Sequence, residues 1–218
     1  MNLTGLLHAL YGIDQPQGCT DKEIAAMKGI FGEIPAVLED FYRILGHTKE
    51  LKVNQDDWIF PEDFQRWKHL TQSDHLLLLC ENQGVCRAEI RREDLSLTDP
   101  PVYTQMEDDD PWLLSAPTTS EFLEAALTYE AIWQLKYSSE EYYWLTGEEL
   151  AIIQSRLTKH TATLKNWMDL EITFYSSRPD NLVVVMDAGD HYEVLYGGAT
   201  RESCADLLKV MEGLGEPL

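Results

Sequence analysis

Basic residues are scarce: 17 Lys and Arg stand against 38 Asp and Glu in 218 residues, a formal charge of −21. From Glu93 to Leu135 there is no Lys, Arg or His at all, while ten carboxylates fall in that span with Glu107-Asp108-Asp109-Asp110 at its centre. Such a field weakens every phosphate contact and no basic patch interrupts it, so neither nucleic acid nor an anionic membrane is an expected partner. It would instead attract basic proteins and speed their encounter, or serve solubility alone. Long apolar runs are also missing. His75–Cys80 is strand length, far short of the roughly 20 residues a membrane span needs. Met1-Asn2-Leu3-Thr4 has neither the basic region nor the apolar core of a secretory signal, which predicts a cytoplasmic location.

Cysteine is sparse, and Cys19, Cys80, Cys86 and Cys204 include no Cys-x2-Cys pair and no neighbouring His. A structural zinc site uses four converging ligands in closely spaced pairs, so buried reduced thiols are the expectation. Cys80 and Cys86 flank a predicted hairpin turn and could approach across it. The catalytic signatures Gly-x-Ser-x-Gly, the Walker phosphate loop and Gly-x-Gly-x-x-Gly are absent. Gly197-Gly198 before Thr200 reads as a turn rather than an anion cradle. Asp187, Asp190, His191 and Glu193 read as a solvated loop. The tetrad Glu107 to Asp110 lacks the Asp-x-Asp-x-Asp-Gly pattern that wraps calcium. No catalytic residue, no metal ligand and no cofactor is therefore expected.

What is present is core material. Hydrophobic residues make up 44%, with six Trp, ten Tyr and six Phe, enough for one generous domain or a smaller one with an appendage. Thr20-x-x-Glu23 is a capping box opening a helix that ends near Ile30-Phe31. A second helix from Pro35 carries Val37, Leu38, Phe41, Tyr42 and Leu45 at helical spacing, with Gly46 in the C-cap position. Lys49–Val53 reads as a short strand and Phe60-Pro61-Glu62 as the start of a short helix. His75–Cys80 and Val85–Ile90 form a predicted hairpin around Asn82-Gln83-Gly84. Pro100, Pro101, Pro111 and Pro117 place the acidic tetrad on a loop. Thr118-x-x-Glu121 opens a helix to about Leu135. Ser138-x-x-Glu141 and Thr146-x-x-Glu149 mark two more helix starts, the second running to about Thr161. Leu170–Tyr175, Asn181–Met186 and Tyr192–Tyr196 read as strands before a last helix from Thr200 to Gly213. The order is that of an α+β fold.

Three pieces of the chain together resemble the SUKH superfamily, which includes a yeast regulator of cell-wall synthesis and many bacterial immunity proteins. They are Ile34-Pro35 with the helix Phe41-Tyr42-Arg43-Ile44-Leu45-Gly46; Glu81-Asn82-Gln83-Gly84-Val85-Cys86 followed by Asp99-Pro100-Pro101-Val102-Tyr103; and Thr119-Ser120-Glu121-Phe122-Leu123 running to Tyr129-Glu130-Ala131. His47 departs from the Asn-Gly type turn usual after the first piece. The resemblance spans Asp21 to Trp133 and implies a SUKH-like domain over 20–135, an antiparallel sheet flanked by helices. Residues 136–218 would then be a C-terminal α/β extension, β-rich and ending in a helix. The resemblance further implies no catalytic activity, no cofactor and a role in protein binding, in bacterial members the neutralisation of a toxin, often a nuclease. It carries no fixed functional residues, since the shared positions are core and turn.

The expected binding residues are therefore argued from charge. Asp99, Glu107, Asp108, Asp109 and Asp110 are the leading carboxylates. Trp112 beside them reads equally as an aromatic anchor or as core. Asp56, Asp57 and Trp58 repeat the acid-next-to-Trp pattern. The leading reading is a protein-binding immunity protein that neutralises a basic partner such as a nuclease toxin. A cytosolic regulatory adaptor without a toxin is the alternative, and an uncharacterised enzyme is third.

Overall fold

A computed structural model describes every residue except Met1, Val53 and Asp108, and its helices and antiparallel sheets make an α+β fold. After a short helix α1 (Leu3–Leu6), the chain divides into two compact units. The first covers Gln15–Leu123 with Asn166–Met168. The second covers the N-terminal residues to Asp14, Glu124–Lys165 and Asp169–Leu218. The division falls inside a helix rather than at residue 135.

In the first unit, α2 (Asp21–Phe31) starts from the expected capping box: the Thr20 hydroxyl caps the Glu23 N–H while the Glu23 carboxylate accepts from the Thr20 N–H. The apolar stripe of α3 (Ala36–Leu45) buries Leu38, Phe41, Tyr42 and Leu45. Gly46 caps it with ordinary right-handed geometry, so the glycine is not there for a left-handed turn. It is there for space, because a Cβ would stand 2.2 Å from the Cys19 Sγ. The predicted strand at Lys49–Val53 is instead a 3-10 turn over Lys49–Lys52, and Val53 lies outside the described residues.

A five-stranded antiparallel sheet follows, in the order β1 (Asp57–Trp58), β2 (His75–Cys80), β3 (Arg87–Arg91), β4 (Val102–Gln105) and β5 (Leu113–Ala116), with α4 (Pro61–Arg66) between the first two strands. Proline density around 100–117 concealed β4 and β5, which are only four residues each. Cross-strand pairing sets the two faces. Trp58, Leu79, Ala88 and Thr104 form one row and are buried, with Phe41 of α3 packed on Trp58 at 5.4 Å. Asp57, Cys80, Arg87 and Gln105 form the next row and point to the other face. An irregularity between Leu77 and Leu79 shifts the register of β2, which is why Cys80 shares the face of Leu77 and His75.

The helix α5 (Thr119–Ala131) carries the chain across the division. It is buried over most of its surface, with Phe122, Leu123, Ala126 and Leu127 fully buried and Glu121 exposed in its first turn. The second unit is built on a sheet ordered β13 (Glu216–Pro217), β7 (Tyr143–Leu145), β12 (Tyr192–Gly198), β11 (Asn181–Asp187), β10 (Leu170–Ser176) and β8 (Thr158–Lys159); β6 (Tyr137–Ser138) also pairs with β12, and β9 (Leu164–Trp167), whose last two residues are assigned to the first unit, pairs with β10. Ser138 thus lies in a strand, not at a helix start. The helix α6 (Gly147–Arg156) has its capping box at Thr146 and stops short of Thr161, because the chain turns into β8. With α7 (Arg201–Met211) it buries a core of Leu150, Ile153, Leu207 and Met211 against Val183, Val185 and Val194. Gly197 and Gly198 are strand residues. A Cβ on Gly198 would stand 2.5 Å from the Cys204 N–H, so close helix packing explains the glycine. Among the described residues no disulfide joins any of the four cysteines. Among the described residues no helix is long and apolar enough to cross a membrane.

Candidate functional site

The polar face of the first unit's sheet is not covered flat; it forms a cleft of about 790 Å³. Its floor comes from alternate positions of β2, β3 and β4: Leu77, Cys80, Arg87, Glu89 and Gln105. The turn after α4 raises one wall through Trp67, His69 and Leu70, and Trp67 is 46% exposed. Trp112, just ahead of β5, also lines the cleft. Its ring stacks on His75 at 4.4 Å, and the Arg87 guanidinium lies 5.6 Å from its centre. Asp57 and Asp74 stand on the rim and are exposed.

Glu89 is the unusual member. Its side chain is 8% exposed, and its Oε2 is buried with no hydrogen-bond partner among the described residues. Burial pushes its carboxyl up to about 7, against a smaller downward pull from Arg87, whose Nε lies 3.5 Å from Oε1. His75 Nδ1 is 3.7 Å from Oε2, beyond hydrogen-bond reach. Burial and the Arg91 charge hold His75 below the usual histidine value, so it is neutral near pH 7 and the two groups make no ion pair. The cleft therefore contains a carboxyl group poised between its two protonation states, with one oxygen turned to no donor among the described residues.

The acidic loop is tied to this floor. Arg87 Nη2 donates to Gln105 Oε1 at 2.5 Å, and Gln105 Nε2 donates to the Asp110 carbonyl at 2.6 Å. The Glu107 N–H donates to the Asp110 carboxylate and the Asp110 N–H to the Glu107 carbonyl, closing a turn. Glu107, Asp109 and Asp110 are exposed at the cleft's margin, and Asp108 lies outside the described residues.

Of the carboxylates and tryptophans singled out in the sequence, Asp57 and Trp112 line the cleft, and Glu107, Asp109 and Asp110 border it. Three others hold the fold. Both Asp99 oxygens are taken by the N–H and hydroxyl of Ser120 at the start of α5. Asp56 is buried and accepts the Asn82 N–H. Trp58 is buried on Phe41. Neighbours in a strand point to opposite faces, so the pair Asp57-Trp58 divides between cleft and core. Glu89, His75, Arg87 and Trp67 were not singled out. The alternation Arg87-Ala88-Glu89-Ile90-Arg91 was the available signal, a strand with one polar face.

Elsewhere, His191 pairs with Asp190 at 2.6 Å and with Glu193 at 3.5 Å, and the Asp187 carboxylate takes the Gly189 N–H, a self-satisfied turn. Among the described residues, one group carries metal-ligand chemistry in space: Cys19, Glu23 and His47, with donor atoms all within 4.8 Å of one another. The sequence spacing of these three gave no hint of it. Family models, curated proteins and solved structures were compared with the chain, and none matched.

Proposed function

We propose that the chain is a non-catalytic protein-binding module whose docking site is the cleft, and that its partner is a basic protein which it neutralises as an immunity protein. The carrying observation is the coincidence of one concave, Trp-walled surface with the acidic loop, held together through Arg87, Gln105 and Asp110. The cleft has the size of a site that buries one or two side chains, and aromatic walls suit the centre of an interface. The exposed carboxylates around it supply long-range attraction. In this reading a Lys or Arg of the partner enters the cleft and donates to Glu89 Oε2. The toxin assignment draws on the net charge and on the SUKH resemblance; a cytosolic regulatory adaptor would use the same surface on a harmless partner.

Expressing the partner recovered from the native host alone, and then together with the chain, separates these two. Growth inhibition relieved by the chain supports immunity, and a partner that is harmless by itself supports the adaptor. Specific cleft features also favour a second reading, general acid–base chemistry at Glu89, with a carboxyl near 7 and His75 beside it. That reading requires turnover of the bound molecule, lost in Glu89→Gln with binding retained.

A further inference from the structure

We propose that Cys19, Glu23 and His47 form a three-ligand site for a thiophilic divalent cation, Zn²⁺ foremost. Cys19 precedes α2, Glu23 lies in its first turn and His47 follows α3, so the packing of two helices brings the three together. Their sulfur, oxygen and nitrogen donors all lie within 4.8 Å of one another. Ligands at about 2.0–2.3 Å around one tetrahedral ion fit inside that span. No residue of the trio lines the cleft, so the inference does not rest on the protein-binding reading.

The surroundings are those of a held site. The Glu23 Oε2 accepts the Thr20 N–H at 2.8 Å and hydroxyl at 2.7 Å, which fixes the carboxylate, and His47 Nε2 faces both of its oxygens, Oε1 at 2.9 Å and Oε2 at 3.0 Å. This is the outer-sphere support that metal-binding carboxylates have. The Cys19 N–H is pinned to the Tyr42 carbonyl at 2.8 Å and the His47 N–H to the Gln17 carbonyl at 2.7 Å. Gly46 puts no side chain over the thiol. On binding, the cation takes the place of the proton between His47 and Glu23. The ring stays neutral, its remaining proton on Nδ1, and any excess proton leaves to solvent. The Cys19 thiol also gives its proton to solvent. One thiolate and one carboxylate then balance the two positive charges. The fourth position is left to water or to a partner's side chain.

The test uses the full chain, stripped with a chelator and titrated with Co²⁺ alone. One equivalent should bind with an intense thiolate-to-cobalt charge-transfer absorption that Zn²⁺ abolishes by displacement, and affinity should rise with pH as protons are released. Cys19→Ser should lose the absorption, and His47→Gln should weaken binding by more than about tenfold, with unchanged circular dichroism in both. Zn²⁺ should raise the melting temperature of the wild-type chain alone. The site is refuted by saturating Co²⁺ without charge-transfer absorption, or by a Zn²⁺-induced shift in both variants as large as that of the wild type.

Discussion

A carboxyl group that is 8% exposed, with one oxygen lacking a hydrogen bond, resists ionisation, and Glu89 is pushed up to about 7 by that burial. Its folded value lies above the ordinary 4.5, so the stability linked to its proton is complete below pH 4.5 and is lost as pH rises through about 7. Glu23 titrates outside this window, since the Thr20 N–H and then His47 hold it down to about 2. Glu89→Gln should therefore remove a fall in unfolding free energy of roughly 2–3 kcal/mol between pH 5 and pH 8, measured by urea denaturation at both values. An unchanged pH slope would mean that Glu89 is solvated. The tryptophans divide in the same way between fold and surface. Trp58→Ala should cost about 3–5 kcal/mol of stability, because Trp58 is 6% exposed and packed on Phe41. Trp112→Ala should leave a cooperative fold and weaken partner binding tenfold or more by calorimetry, because its ring faces the cleft.

At the scale of elements, two glycines one helix apart have opposite roles. Gly29 sits within α2 with nothing near its Cβ direction, and Gly29→Ala should stabilise the chain by about 0.5–1 kcal/mol. Gly46→Ala would press a methyl onto the Cys19 sulfur and the Tyr42 carbonyl, and should destabilise by about 1–3 kcal/mol. Thermal melts of the two variants should move in opposite directions. Elements with local chemistry were legible in the sequence: the capping boxes at Thr20 and Thr146, the stripe of α3 and the strands β10 to β12. Those decided by distant partners were not. Ser138 has the form of a cap, yet Gly197 and Gly198 claim that segment as a strand. The start of α5 was legible at Thr118, whose hydroxyl accepts the Glu121 N–H, but its cap also uses Asp99, 21 residues before Ser120, a carboxylate whose role no local pattern reveals. The cleft was half legible: its acidic margin and Trp112 stand out in composition, whereas its floor depends on the register of β2 to β4 and on the bulge near Leu78.

For the whole molecule, the few basic side chains are heavily committed. In the first unit Arg43 engages Asp21 and Glu39, and Lys28 shares Glu39. In the second Arg178 engages Asp180, Glu202 and Asp206. The excess negative field survives these pairings and includes the loop beside the cleft. Partner association should therefore slow steeply as ionic strength rises, with dissociation changing less, a dependence readable by stopped-flow mixing at several salt concentrations. The most direct test compares the tagged wild-type chain with Trp112→Ala and Glu89→Gln as baits in extract from the native host, bound proteins being quantified by mass spectrometry at low and high salt. A basic protein should be enriched by the wild type at low salt, diminished at high salt and lost with both variants. Equal enrichment by the three baits, or a salt-indifferent partner, would contradict a cleft-centred electrostatic interface.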